Sequence, residues 1–373
     1  MKQEDLPLPG KFPATGATMG RMEVGIIGAI KRSYLFLLAG SILLTLIIPF
    51  ILARGHVFVR LLSLPLRIAL LLAGLMLLSW GFEAQRLRIL LRLVGEVVGL
   101  PKALGMVMAA EFAGAATPGA TGMAATYALL LKRRGMDIGS AAGLVAVIVV
   151  FDLAFFGTFL PLAALWIAVQ PQAVPGAQRL LAVIFTGAAF AALALLLLHR
   201  YHHGARILVD RVLGHLPIYA RRRYAIARST VQFLRALRVL RNMTWRSRWD
   251  LYVLSAGFWL PRYVVLWVAI SQVTERVGFP YLLIVQGILN LGGQMIFLPG
   301  GAGGVGAAYA VLLSPYMSGR DIGFTLLIWR TFTYYWYLLV GAPIFLYQAG
   351  AAAHDLLSRS HRVRSPAKPH SPH

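Results

Sequence analysis

Apolar residues dominate this chain in long runs, which short polar and basic segments separate. A helix rises about 1.5 Å per residue, so about 20 apolar residues cross a hydrocarbon core of about 30 Å. Six runs approach or exceed that length: 33–53, 66–82, 139–160, 179–198, 250–272 and 322–347. This pattern predicts an all-α polytopic membrane protein with about six full spans.

Two further apolar stretches are each interrupted near the middle. Residues 103–131 are broken at 117–119, and residues 281–313 are broken at 299–301, with a Pro-Gly pair at both breaks. The pieces of about 10–14 residues are too short to span a bilayer. Broken helices of this kind are tolerated where protein surrounds them or where they line a cavity. We therefore predict two re-entrant helical hairpins.

The basic residues indicate which segments face the cytoplasm. Lys and Arg concentrate in 1–32, 83–102, 132–134, 199–249 and 351–373. The positive-inside rule places these segments in the cytoplasm, together with both termini. It also explains the net charge of +23 without nucleic acid as a partner. With 58% hydrophobic and only 13% charged residues, against about 25% charged in soluble domains, no separate soluble domain is expected.

The two broken stretches resemble each other in sequence. The first reads TPGATGMAATYALLL and the second LPGGAGGVGAAYAVLL, and each is followed by G-x-D-I-G. The predicted topology makes them enter from opposite faces, which is the inverted repeat of many secondary transporters. The repeats would be 33–198 and 250–350, joined by the basic cytoplasmic connection 199–249. Chance similarity between Gly-rich apolar segments is the alternative.

These Pro-Gly units also resemble a known family. The first unit with Asp152, and the second with Arg330 in the span after it, are similar to the signatures of the lysylphosphatidylglycerol synthase transmembrane (flippase-like domain) family. The resemblance covers roughly 33–350 and implies a role in lipid translocation. The family commonly has a Glu shortly after each loop, where this chain has Met123 and Gly306.

The Pro-Gly loops supply a candidate anion site. A half-helix that begins inside the membrane exposes unpaired N–H groups and the positive end of its dipole, which suits a lipid phosphate. Close packing of helices through small residues is the alternative. The candidate substrate-binding residues are those of the two loops and two intramembrane arginines: Thr117, Pro118, Gly119, Gly122, Pro299, Gly300, Gly301, Gly303, Arg262 and Arg330.

Ionisable residues within the apolar runs require partners, since a central charge costs about 2.5–3.5 kcal/mol on insertion scales. We expect Glu111 and Asp152 to act either as counter-charges to the two arginines or as carriers of a coupling proton. Ion pairs that only fix helix packing are the alternative. The predicted cavity-lining residues are Gln286, Asn290 and Gln294, at helical i, i+4 spacing, with Tyr127 and Tyr309.

Together these features predict a lipid flippase or transporter of the bacterial inner membrane. Its substrate would be a phosphate-bearing lipid, whether anionic, zwitterionic or aminoacylated. The alternatives are a membrane enzyme acting on lipid-linked substrates and a non-catalytic partner of a lipid-synthesis enzyme. We predict no catalytic residue, no metal site and no cofactor, and no GxxxxGK[ST] motif for ATP is present. Lipid identity, direction, coupling ion and oligomeric state stay open.

Overall fold

The computed structural model describes residues 57–169, 243–295 and 298–348, together with position 186 and helical positions within 39–52. All regular secondary structure in these residues is helical, which confirms the all-α prediction. The predicted span at 179–198, apart from position 186, lies outside the described residues, as do most of the basic connection and both terminal segments.

The described helices fall into two sets, one before residue 170 and one after residue 242, and within each set the connections are short. Three of them are long and apolar enough to cross a membrane: Leu66–Leu93, Gly139–Val169 and Trp245–Ser271. After Arg330 the chain makes a π-helical turn at Thr331–Tyr335 and then continues as a helix. The helices are α1 (Val57–Leu62), α2 (Leu66–Leu93), α3 (Leu100–Ala116), α4 (Thr121–Arg133), α5 (Ile138–Val169), α6 (Trp245–Ser271), α7 (Phe279–Met295), α8 (Gly304–Leu313) and α9 (Gly319–Arg330).

Helix α2 is longer than the sequence pattern predicted. The predicted span ended at residue 82 and was followed by a basic loop, whereas α2 continues to Leu93. The reason is that the basic segment is amphipathic. Leu87 and Leu90 are buried in the core, so continuing the helix buries more apolar surface. Gly95, with φ +88°, then ends it.

The first Pro-Gly break forms the turn of a helical hairpin. Gly119 (φ 58°) and Ala120 (φ 55°) leave the right-handed region between α3 and α4. The Thr117 hydroxyl accepts a hydrogen bond of 2.7 Å from the Gly122 N–H, so it satisfies one free donor of α4. At the far end, the backbone carbonyl of Gln348 accepts a hydrogen bond from Arg133 at the end of α4.

Contacts at Gly105 show that α3 and α4 run back along each other. A Cβ built on Gly105, near the start of α3, would lie 2.8 Å from Nε2 of Gln348. The same residue, Gln348, is bound by the end of α4. The two outer ends of the broken stretch therefore lie side by side, with the Pro-Gly turn at the other end.

The second Pro-Gly break also forms a hairpin turn. Gly300 (φ 61°), Gly301 (φ 62°) and Gly303 (φ 81°) carry the chain from α7 into α8. At the outer ends of these helices, the Tyr281 hydroxyl donates a hydrogen bond of 2.7 Å to the Leu312 carbonyl. The two short 3₁₀ turns, Pro118–Ala120 and Pro299–Gly301, contact each other. Both predicted breaks are thus confirmed, and they meet in space.

The long helices form the frame around these hairpins. Helix α6 packs most extensively on α2 and also contacts α5, α7 and α9. A buried hydrogen bond of 2.7 Å from the Ser79 hydroxyl to the Phe258 carbonyl joins α2 to α6. Large apolar side chains such as Leu77 and Leu162 point outward and are about half exposed or more, as expected for surfaces that face lipid.

Gly300→Ala is expected to destabilise the protein. The new Cβ would lie 2.1 Å from Cε2 of Tyr334, at a φ of +61°, and such backbone strain alone costs about 1–3 kcal/mol. Thermal unfolding in detergent should show a clearly lower Tm than wild type. Gly157→Ala is the control, because its Cβ meets nothing within 4 Å, and its Tm should not fall. Equal Tm values for Gly300→Ala and wild type would contradict the described turn.

Candidate functional site

A cavity with about 200 Å³ of water-accessible space lies where the two Pro-Gly turns meet. Its walls come from α3, α6, α7, both turns and the helical face that follows Trp329. The structure brings together nine of the residues proposed from sequence on these walls: Glu111, Thr117, Gly119, Arg262, Gln286, Asn290, Gly300, Gly301 and Arg330.

Several of the residues proposed from sequence do not line this cavity. Tyr309 donates a hydrogen bond of 2.9 Å to the Thr325 hydroxyl and stacks on Trp329. Its side chain therefore packs within the core. Tyr127 is 2% exposed and packs in the same hydrophobic core. Four turn residues and one carboxylate are also absent from the cavity wall: Pro118, Gly122, Pro299, Gly303 and Asp152. The side chain of Gln294 lies outside the described residues.

The absent turn residues shape the turns instead. A Cβ on Gly122 would lie 2.4 Å from the Ala113 carbonyl oxygen, so this glycine permits the close approach of α4 to α3. Pro118 and Pro299 occupy the first positions of the two 3₁₀ turns, where the fixed φ of proline is compatible with helix.

Arg330 brings to the cavity a positive charge that no described carboxylate compensates. Its Nη1 donates a hydrogen bond of 2.9 Å to the Gly300 carbonyl, which ties α9 to the second turn. Its buried Nη2 has no hydrogen-bond partner among the described residues. No carboxylate in the described part of the chain forms a salt bridge with it, although the residue is only 6% exposed. A buried guanidinium of this kind is poised to bind an anion.

Arg262, in contrast, is already paired. Its Nη2 lies 2.9 Å from Oε1 of Glu111, and its Nε donates to the Ser79 hydroxyl at 3.0 Å. The guanidinium also lies 3.8 Å from the centroid of the Phe258 ring, a cation–π contact. This is the ion pair that the sequence left open as an alternative to phosphate binding. Arg262 and Glu111 both face the cavity, but they neutralise each other.

Two amide side chains add further polar groups to the walls. Gln286 donates through Nε2 to the Arg262 carbonyl at 3.2 Å, while its Oε1 has no partner among the described residues. The buried Nδ2 of Asn290 is likewise without one. The charged residues of the wall are Arg262, Arg330 and Glu111, which sum to one net positive charge. The arrangement matches a ligand with one negative charge and several hydrogen-bond acceptors.

Sequence reasoning missed the aromatic wall of the cavity. Thr333, Tyr334 and Tyr337 line it together with Trp329 and Trp259. The signal was present in the sequence, because Thr333, Tyr334 and Tyr337 follow Arg330 at i+3, i+4 and i+7, the spacing of one helical face. The π-helical turn at Thr331–Tyr335 lies in this face, and such turns recur at functional sites.

A second ionic cluster was also missed. Arg86, assigned from sequence to a cytoplasmic loop, is fully buried in α2. Its Nη2 lies 2.5 Å from Oε2 of Glu83, and its Nη1 donates to Asp152 of α5 and, at 2.5 Å, to the Ser255 hydroxyl of α6. Asp152 therefore serves as a counter-charge, which is one of the two roles proposed for it. Its partner is Arg86 and not one of the two arginines expected from sequence. The i, i+3 spacing of Glu83 and Arg86 was the available signal.

The family model for the lysylphosphatidylglycerol synthase TM region matches residues 36–341, the bulk of the chain. The chain belongs to this family. It is therefore a multi-pass helical membrane protein, with the membrane domain that is associated with lysylphosphatidylglycerol synthesis or flipping. No curated protein matches it. The match spans both Pro-Gly turns, Arg330 and the two ionic clusters, and so confirms the family resemblance seen in the sequence.

Removing one member of the Arg262–Glu111 pair is expected to lower the free energy of unfolding strongly. Arg262→Met leaves a buried carboxylate without its partner, which typically costs 3–5 kcal/mol. The double variant Arg262→Met with Glu111→Met should regain most of the loss, because no unpaired charge remains. Free energies of unfolding in detergent, arranged as a double-mutant cycle, measure this.

The matched control for this cycle is the exposed pair Arg60–Asp321, whose side chains are 44% and 27% exposed. Arg60→Met should cost no more than about 1 kcal/mol. Additive effects of the Arg262 and Glu111 substitutions would show that the two groups do not interact as described.

Proposed function

We propose that this protein is a lipid flippase or transporter that moves a phosphate-bearing lipid across the bacterial inner membrane. The observation that carries the proposal is the buried Arg330 guanidinium, which faces the cavity between the two turns and forms no salt bridge within the described chain. A buried ionisable residue in a membrane domain is a sign of function.

A lipid phosphodiester fits the polar groups of this cavity. It carries one negative charge, which balances the net positive charge of the described walls. Its oxygens can accept hydrogen bonds from Nη2 of Arg330 and Nδ2 of Asn290, both of which are buried without a partner in the described chain. Arginine favours phosphate because its planar donors match two oxygens at once. The helix that begins beyond the second turn contributes its positive end.

The topology proposed for transport follows from the two hairpins. In this proposal they re-enter the membrane from opposite faces, as halves of an inverted repeat, and the meeting point of their turns lies near the bilayer midplane. The headgroup would occupy the cavity while the acyl tails stay in the surrounding lipid. Alternating exposure of the cavity by the two repeats would move the headgroup across, with both termini on the cytoplasmic side.

Arg330→Gln is expected to reduce lipid translocation at least tenfold. The substitution removes the charge that faces the phosphate, and truncating one partner of a buried charged contact typically costs 2–5 kcal/mol. The measurement is movement of fluorescently labelled phosphatidylglycerol between leaflets of proteoliposomes that contain the purified protein. Arg330→Lys, which keeps the charge but not the planar donors, should retain partial activity.

Two controls separate loss of the anion site from loss of structure. Arg60→Gln changes an arginine outside the cavity and should keep wild-type translocation. Gly122→Ala disturbs the close approach of α4 to α3 outside the cavity wall and keeps the Arg330 charge, so it should lose less activity than Arg330→Gln at equal loss of Tm. Wild-type translocation by Arg330→Gln, or chemical conversion of the lipid without movement, would overturn the proposal. Conversion would instead favour an enzyme of lipid-linked substrates.

A further inference from the structure

The cluster around Arg86 has more negative than positive charge. One guanidinium contacts two carboxylates, those of Glu83 and Asp152, and within the described part of the chain its remaining hydrogen-bond partner is the neutral Ser255 hydroxyl. Arg86 is 0% exposed and Glu83 is 3% exposed. If both carboxylates were ionised, the cluster would bury one net negative charge within helices that cross the membrane.

The neighbouring charges in the described part of the chain do not supply the missing positive charge. Of the other charged groups near Glu83, Arg262 of α6 is bound to Glu111 of α3, so this pair is neutral. Tyr127 of α4 is close enough to interact electrostatically with Glu83 and Arg86, and it contributes no positive charge. Across the described groups, Glu83, Glu111 and Asp152 stand against Arg86 and Arg262, which leaves an excess of one negative charge.

An uncompensated buried carboxylate is costly, and proteins usually avoid the cost by binding a proton. Because the two carboxylates contact the same guanidinium, a proton that binds there belongs to the pair rather than to one residue. The exposure of the two groups differs: the Asp152 side chain is 17% exposed, whereas that of Glu83 is 4% exposed. Asp152 is thus the member through which a proton can enter and leave.

The cluster is also connected to the cavity. The Phe258 ring of α6 lies 5.3 Å from the Arg86 guanidinium carbon and 3.8 Å from that of Arg262. Ser79, one helical turn before Glu83 in α2, accepts a hydrogen bond from Arg262. Arg262 and its partner Glu111 line the cavity. A change of charge at Glu83 and Asp152 therefore acts on Arg262 across one aromatic ring and one hydroxyl group.

We propose that Glu83 and Asp152 form a proton-binding site that holds one exchangeable proton between them. The proton makes the cluster neutral, and its release restores the negative charge beside Phe258 and Arg262. The link from this site to headgroup movement rests on the transport function proposed above, whereas proton binding itself does not.

The direct test is infrared difference spectroscopy of the purified protein in lipid during a pH titration. A protonated buried carboxyl group gives a C=O stretching band that an ionised carboxylate lacks. Wild type should show one such band that disappears as the pH rises. Glu83→Gln and Asp152→Asn should each abolish it, because either change leaves a single carboxylate paired with Arg86. The presence of the band in both variants at wild-type intensity would overturn the proposal.

A matched control and a transport measurement complete the test. Glu96→Gln changes a carboxylate in the loop after α2, so the band should persist in that variant. In proteoliposomes, an imposed pH gradient should change the translocation rate of wild type but not of Glu83→Gln. If the band behaves as expected and no lipid moves, the proton site stands and the transport function fails. If lipid moves and the band is absent from wild type, the transport function stands and the proton site fails.

Discussion

Four buried charged side chains and one part-buried carboxylate link the central helices of the described chain: Glu83, Arg86, Glu111 and Arg262, with Asp152. In a bilayer, apolar contacts between helices have little hydrophobic driving force, because lipid tails are equally apolar. Polar contacts therefore specify the arrangement, since a mispaired charge would remain uncompensated. Here Arg86 joins α2 to α5 and α6, and Arg262 joins α6 to α2 and α3. The Phe258 ring lies beside both guanidinium groups.

This frame holds the two hairpins so that their turns meet. Each turn depends on glycine, because positive φ values and close contacts such as that of Gly300 with Tyr334 exclude a side chain. Arg330 then links the second turn to α9 through the Gly300 carbonyl. The same guanidinium that stabilises the turn keeps a second nitrogen for a ligand. Arg330 therefore both stabilises the turn and offers a donor for the proposed ligand. The described contacts of Arg262, in contrast, hold helices together.

The sequence predicted the features that depend on local chemistry. Both helix breaks follow from Pro-Gly pairs inside apolar runs, and Arg330 and Asn290 were found as polar residues in such runs. The tertiary contacts between side chains could not be predicted. From sequence alone, Arg86 belongs to a cytoplasmic basic segment. In the structure it contacts Asp152 and Ser255, which are distant in sequence. Tyr309 was predicted from sequence to line the cavity, but its hydroxyl group donates a hydrogen bond to Thr325. Partners that are distant in sequence decide the role of a polar residue, and local spacing does not encode them.

The central claim is that a lipid headgroup enters the cavity between the two turns. The most direct measurement is photo-crosslinking with phosphatidylglycerol that carries a photoreactive group on its headgroup, followed by mass spectrometry of the labelled peptides. The account predicts labelling of residues 286–293 and 329–337, which contain cavity-lining positions on α7 and beyond α9. Labelling confined to outward-facing positions such as Leu77 and Leu162 would contradict it.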